Sequence, residues 1–143
     1  MTDVTGFRNW QRIDARTTTS GQPSEAQLAE LAEMGVRHLI NLALHTHDDA
    51  LPDETVSVAA LGMRYTHIPV VFQKPADTHF ALFRAAYEAT VPDPVHVHCI
   101  MNWRVSAFFC RYRRDVLGLA PADARAAMER IWQPDAVWER FIG

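Results

Sequence analysis

The chain has 143 residues, 48% hydrophobic and 22% charged, with a formal net charge of −3; that length suits one domain, residues 1–143, with a single sizeable core. The mild charge, the lack of a Lys/Arg stripe and the lack of any apolar run of membrane-spanning length argue against nucleic acid or membrane as partner. Cys99 and Cys110 are too few for a disulfide framework and are not spaced as a zinc site, and "MTDVTGFRNW" carries no apolar signal core, so a cytoplasmic protein with Cys99 as a free thiol is expected.

Along the chain, Ile13 to Arg16 reads as a short edge strand and "SGQP" as a turn. Ser24 and Gln27 then have the spacing of a capping box at a helix start. Leu28, Leu31 and Met34 recur on one face of that helix, and Gly35 closes it. "VRHLINLAL" follows as a mostly apolar strand of the kind buried on both sides. "ETVSVAALGM" is a short helix ended by Gly62, and "YTHIPV" a strand halted by Pro69. "ADTHFALFRAAYEAT" is an amphipathic helix with Phe80, Leu82, Phe83 and Tyr87 as its apolar anchors. "PVHVHC" is the next strand, and "RVSAFFCRYRRDVLG" the helix after it, with "RYRRD" on its wet face. "APADARAAMERIW" places Pro121 early in another helix, where a missing N–H costs little. Strands alternating with helices predict an α/β fold around a mainly parallel central sheet flanked by helices. Ligands in such folds bind beyond the C-terminal ends of the strands, and Cys99 stands at such an end.

In "VHVHCIMNWRVSAFF" a buried strand runs into Cys99, a short loop and then a helix carrying Arg104. A loop that leaves a strand and opens a helix can turn its backbone N–H groups inward as a nest for an anion. Here Ile100, Met101, Asn102 and Trp103 would supply those amides, and the same dipoles favour thiolate over thiol. Arg104 could add a planar guanidinium fork that grips an oxyanion with two hydrogen bonds. Ser106 could bond the thiolate or simply solvate backbone. Asn102 fits a nest because its short amide tolerates the left-handed backbone that such loops need. A bland alternative is a buried structural thiol beside a surface arginine, which a lone cysteine would favour.

These residues resemble the cysteine-dependent protein tyrosine and dual-specificity phosphatase superfamily. The likeness is to its small bacterial branch, the phosphatase-like domain of beta-lactamase hydrolase-like proteins. It rests on "SGQP", "GVRHLINLA", "YTHIPV" and "VHCIMNWRVS", which span most of the chain. The resemblance implies a phosphatase-type fold and a phosphocysteine mechanism without a cofactor. Cys99 would attack phosphorus, Arg104 and the loop amides would hold the equatorial oxygens, and an aspartate would protonate the leaving group. Its ligands would be a phosphorylated small molecule or phosphoprotein, or oxyanions such as phosphate and sulfate. Two departures stand out: four residues rather than five separate Cys99 from Arg104, and Asn102 replaces the signature glycine. The four-residue spacing also resembles rhodanese-type sulfurtransferases, which would carry a persulfide on Cys99. A third reading is a non-catalytic pseudophosphatase that only binds oxyanions.

The expected acid is Asp77, alone in "VVFQKPADTHF", with Asp48, Asp49 and Asp53 as second candidates; Asp77 or Thr78 could equally cap the following helix. His96 and His98 share one face of their strand. With His45, His47 and the nearby aspartates they could in principle hold a metal, but no metal is needed to explain them. The family pattern implies instead that His98 orders the loop by hydrogen bonding and helps set the thiolate pKa, leaving His96 as a core polar residue and "HTHDD" as a solvated loop. Trp103 is expected to pack on Trp132 or Trp138, and Cys110 to lie in the helix core.

Overall fold

In the computed structural model, which describes residues 6–143, the chain runs β1 (Gln11–Arg12), β2 (Thr17–Ser20), α1 (Glu25–Glu33), β3 (His38–Asn41), α2 (Glu54–Ala60), β4 (Arg64–His67), α3 (Asp77–Glu88), β5 (Val95–His98), α4 (Trp103–Asp115), α5 (Pro121–Glu129) and α6 (Ala136–Ile142). The expectation about a signal segment falls partly on residues 1–5, which lie outside the described residues. The strands form one sheet in the order β1-β2-β5-β3-β4. Only β1 runs antiparallel; the β2–β5, β5–β3 and β3–β4 pairs are parallel. No helix among the described residues is long and apolar enough to cross a membrane.

The pleat of β5 sorts the two layers. Val95 and Val97 enter the larger core with Ile40, Phe83, Phe108 and Trp138, beneath α3 to α6. Residue 39 looks the other way, into a smaller core with Leu28, Leu31 and Val58 of α1 and α2. His96 pairs with Leu39 in the ladder and is fully buried. Its partners are hydroxyls: Nδ1 lies 2.8 Å from Thr18 Oγ1, and Nε2 lies 2.8 Å from Ser20 Oγ. The Ser20 hydroxyl donates to the Gly21 carbonyl, so its oxygen receives the Nε2 proton; in the neutral ring that burial favours, Nδ1 then accepts from the Thr18 hydroxyl.

Burial holds the His96 ring well below its ordinary 6.5, with His98 adding a smaller push in the same direction. His67 is lowered too, chiefly by burial. The folded state therefore refuses protons that the unfolded chain takes up near pH 6.5. The stability these rings contribute is complete above that pH and falls as the pH drops below it, by up to about 1.4 kcal/mol per unit for the fully buried His96 and by less for the partly exposed His67. The urea midpoint should fall from pH 7.5 to pH 5.5 by more in the natural chain than in a His96→Gln variant, and an equal fall in both would contradict a neutral His96.

Several expectations are corrected. Residues 13–16 are not a strand but the turn between β1 and β2, closed by the Arg16 N–H donating to Asp14 Oδ1 at 3.0 Å. The strand that follows, "TTTS", is wholly buried and lies between β1 and β5. Leu82 is 58% exposed, while Phe80, Phe83 and Tyr87 are buried as expected. "RYRRD" is not a merely wet face: Arg111 donates to the Phe141 carbonyl, and Arg114 to the Ile142 and Gly143 carbonyls. These bonds tie α4 to α6. Asp135, whose side chain accepts the Trp138 N–H at 3.0 Å, caps α6.

Candidate active site

Cys99 leaves the C-terminal end of β5 and, fully screened from solvent, is among the residues lining a cavity of about 340 Å³. Ile100, Met101, Trp103 and Arg104 line that cavity from the cysteine loop and the start of α4, and Leu44, His47, Val71, Phe72 and Gln73 line it from the segments after β3 and β4. Position 102 takes the left-handed backbone (φ 64) that the turn into α4 requires. Asparagine tolerates it, as the sequence suggested.

The loop's carbonyls are taken up on its outer side. The Gln22 N–H donates to the Ile100 carbonyl at 3.0 Å, and Asn9 Nδ2 to the Met101 carbonyl at 2.8 Å. Asn102 Nδ2 returns the contact, donating to the Asn9 carbonyl at 2.8 Å and to Thr19 Oγ1 at 3.1 Å. The segment before β1 thus straps the loop to β2. Gly21 lets the strap close, because a Cβ there would collide with the Ile100 carbonyl oxygen. The backbone N–H groups of residues 100–104 have no hydrogen-bond partner among the described residues, which leaves a row of donors at the cavity wall.

Arg104 is 7% exposed, and its guanidinium lies 5.4 Å over the Phe72 ring. Its Nε is buried without a hydrogen-bond partner. A buried cationic donor with an empty valence beside a cavity is arranged for an anion. Trp103 stacks on Trp132 with ring centroids 5.1 Å apart, and Phe72 lies 6.0 Å from Trp103. Trp138 of α6 fixes that wall by donating its indole N–H to the Phe72 carbonyl at 2.8 Å.

Not every expected residue gathers here. Ser106 does not turn to Cys99; its hydroxyl donates to the Trp103 carbonyl at 3.0 Å. Asp77 opens α3 but faces a separate surface depression, its side chain 87% exposed and its Oδ1 accepting from Arg111 at 2.9 Å. Neither Asp77 nor Thr78 caps that helix: the His79 ring accepts the Ala76 N–H instead. Asp49 pairs with Arg8 at 3.8 Å outside the cavity, and no carboxylate lines the cavity itself. Among the described residues no group of three or more His, Cys, Asp or Glu is placed to hold a metal ion. His45, read as part of a solvated loop, is instead 2.7 Å from the Tyr65 hydroxyl.

Beneath the loop, His98 places Nδ1 2.9 Å from the Cys99 carbonyl and Nε2 2.8 Å from Glu54 Oε2, both side chains fully buried. Burial by itself would raise the Glu54 carboxyl. The hydrogen bond and charge of His98, with hydrogen bonds from Gln22 and Tyr65, outweigh it and hold the group below its ordinary value. Burial, and the Glu54 charge after it, push the Tyr65 hydroxyl up. Sequence reasoning missed Glu54, Asn9 and Phe72. An acidic residue at a helix start and an asparagine near a terminus look like solvated surface until distant strands bring the loop to them.

The family model for the phosphatase-like domain of beta-lactamase hydrolase-like proteins matches residues 11–111. Among solved structures, the DUF442 protein of Shewanella putrefaciens CN-32 is 31% identical, over 96% of this chain and 90% of that one, with a TM-score of 0.85. A variant of P. aeruginosa TpbA in complex with phosphotyrosine is 21% identical over 85% of this chain and 72% of that one (TM-score 0.69). The core catalytic domain of the PP-IP phosphatase SIW14 from S. cerevisiae, in complex with citrate, is 14% identical over 98% and 86% (TM-score 0.78). The last two likenesses attest to the fold alone. A comparison with curated proteins gives no match.

Proposed function

The chain belongs to the phosphatase-like domain family of beta-lactamase hydrolase-like proteins, and on that premise we propose that it hydrolyses phosphate monoesters through a phosphocysteine at Cys99. The observation that carries this reading is the juxtaposition of Cys99 with unpartnered donors: the amides of residues 100–104 and the buried Arg104 Nε. A trigonal-bipyramidal phosphoryl group presents three equatorial oxygens, and a preformed set of donors holds them as charge spreads onto them.

In the first step the Cys99 thiolate attacks phosphorus, an S–P bond forms, and the ester P–O bond breaks with its electron pair leaving on oxygen. In the second, water attacks phosphorus, the S–P bond breaks, and thiolate and inorganic phosphate are regenerated. The leaving oxygen needs a proton unless it is already a stable anion. Asp77 would reach it only if residues 73–77 moved. A phenolate needs less help than an alkoxide, so aryl phosphates, above all those with acidic phenols, are the esters this arrangement serves best. The ring of Phe72 and the Trp103 indole supply an apolar wall for such a group. Phosphotyrosine in the TpbA complex and citrate in the SIW14 complex, both oxyanions, support an anionic ligand here as well.

Steady-state hydrolysis of p-nitrophenyl phosphate, without added metal, tests the reading. Turnover by the natural chain that vanishes in Cys99→Ser is the expected result; equal turnover in both would overturn it. One observation favours a second reading, oxyanion binding without turnover: no carboxylate lines the cavity. In that case neither chain turns over, yet vanadate or phosphate still raises the melting temperature of the natural chain.

A further inference from the structure

The pair beneath the loop does more than fill the core. We propose that Glu54 is a positioning residue for Cys99: the family pattern already gives His98 a part in setting the thiolate, and Glu54 is the group that keeps His98 doubly protonated for it. The inference rests on the reading of Cys99 as nucleophile.

The hydrogen-bond geometry fixes the charges. The Nδ1 of His98 faces a carbonyl oxygen, which can only accept, so Nδ1 carries a proton. Its Nε2 faces Glu54 Oε2, and the other carboxylate oxygen accepts from Gln22 Nε2 at 2.6 Å. The carboxylate thus has donors of its own in Gln22 and the Tyr65 hydroxyl, which favours its ionised form, and an ionised carboxylate accepts from Nε2, so the shared proton is assigned to the ring. Two charges buried at full depth persist only as a pair. Removing one makes the other costly, so the histidine would lose its second proton along with its partner.

The pair is coupled to the loop by two routes, one along the chain and one through hydrogen bonds. His98 precedes Cys99 directly and holds its carbonyl. Gln22 links Glu54 to the loop from the other side, since its own backbone N–H donates to the Ile100 carbonyl. The remaining titratable groups facing the pair are His96 of β5 and Tyr65 and His67 of β4. The hydroxyl of Tyr65 is in turn met by Asn41 Nδ2 at 3.0 Å and His45 Nε2 at 2.7 Å. Of these, His96 is neutral within its hydroxyl cage and Tyr65 keeps its proton, so Glu54 is the group that can balance a cationic His98.

Glu54→Gln is the isosteric test, made in a Cys110→Ala background so that Cys99 is the sole thiol. The glutamine carbonyl can no longer hold a cation, and its N–H can donate to a neutral Nε2, so the fold is expected to persist. The thiolate absorbance of Cys99, followed against pH, should move up by about one unit or more, the scale set by losing an adjacent opposite charge. The nitrogen-15 signals of His98 should change from two N–H groups to Nδ1–H alone. An unchanged or lowered midpoint, or a His98 that stays doubly protonated, would overturn the proposal. Should the variant fail to fold, the natural protein still decides: a neutral His98 at pH 7 is the contradicting result. Neither readout requires turnover. A chain that hydrolyses nothing but shows both shifts would remove the phosphatase reading and leave the Glu54 role standing.

Discussion

Arg104→Lys is expected to fold normally and to lose roughly 10²–10³-fold in kcat/KM for an aryl phosphate, the scale of removing one transition-state donor. Charge is conserved in this substitution, so the loss would isolate geometry. The guanidinium is planar, and its five N–H donors form a fork that matches two oxygens at once; an ammonium is a point charge on a flexible stem. In the structure the fork is already fixed, 7% exposed and stacked over Phe72 at 5.4 Å. With Nε buried and unpartnered, it waits for an acceptor that the protein does not supply. Lysine would lose the stacking and one of the two oxygen contacts. The melting temperature should stay close to that of the natural chain, because the arginine makes no ion pair among the described residues. A loss below threefold would mean that Arg104 does not touch the phosphoryl group.

Asn102→Val should cost about 3 kcal/mol of stability and most of the activity, whereas Asn102→Gly should cost only about 1 kcal/mol. Two effects of similar size add in the valine variant. A β-branched residue at φ 64 is strained by roughly 1–2 kcal/mol. The two hydrogen bonds from Nδ2, to the Asn9 carbonyl and Thr19 Oγ1, are worth about 1 kcal/mol each. Glycine loses the bonds but keeps the backbone, and it also removes a buried Oδ1 that has no partner. Denaturant melts of the three proteins give the comparison directly. Equal losses for valine and glycine would show that the hydrogen bonds, not the left-handed backbone, hold the loop. The expected order gives asparagine two duties: it replaces the glycine of the family signature in conformation and adds a strap to the segment before β1.

The sheet and most helices were legible because their signals are local. Ser24 and Gln27 do form the capping box, Gly35 and Gly62 adopt the positive φ that ends their helices, and Pro121 opens α5. The buried "TTTS" strand was not legible, since a run of hydroxyls looks like loop. Its polarity is absorbed by partners far along the chain: Tyr87 for Thr17, His96 for Thr18, and the Gln11 carbonyl for Thr19. Helix α6 was overlooked for a related reason. Trp138, Phe141 and Ile142 are buried against α3 and α4, and a seven-residue helix has too few turns to show a period.

At the site, the Cys99–Arg104 loop and the left-handed Asn102 could be read from residue types and spacing alone. The neighbours that complete it could not. Glu54 looks like an ordinary acidic residue in a first helical turn, and only the approach of β5 buries it against His98. Asp77 is the opposite case. Its chain position before the cysteine strand suggested an acid, but Arg111 of α4 draws its carboxylate to another face. Position along a chain fixes order, and side-chain direction depends on partners that sequence does not reveal.

The covalent intermediate is the most direct test of the whole account. An aryl phosphate with a good leaving group, labelled in its phosphoryl group, would be mixed with the natural chain and quenched during turnover. The protein would then be digested and the label located. The account predicts phosphoryl on sulfur in the peptide carrying Cys99, formed and lost at rates that match turnover. Turnover with no label on Cys99, or with label on any other residue, would contradict it.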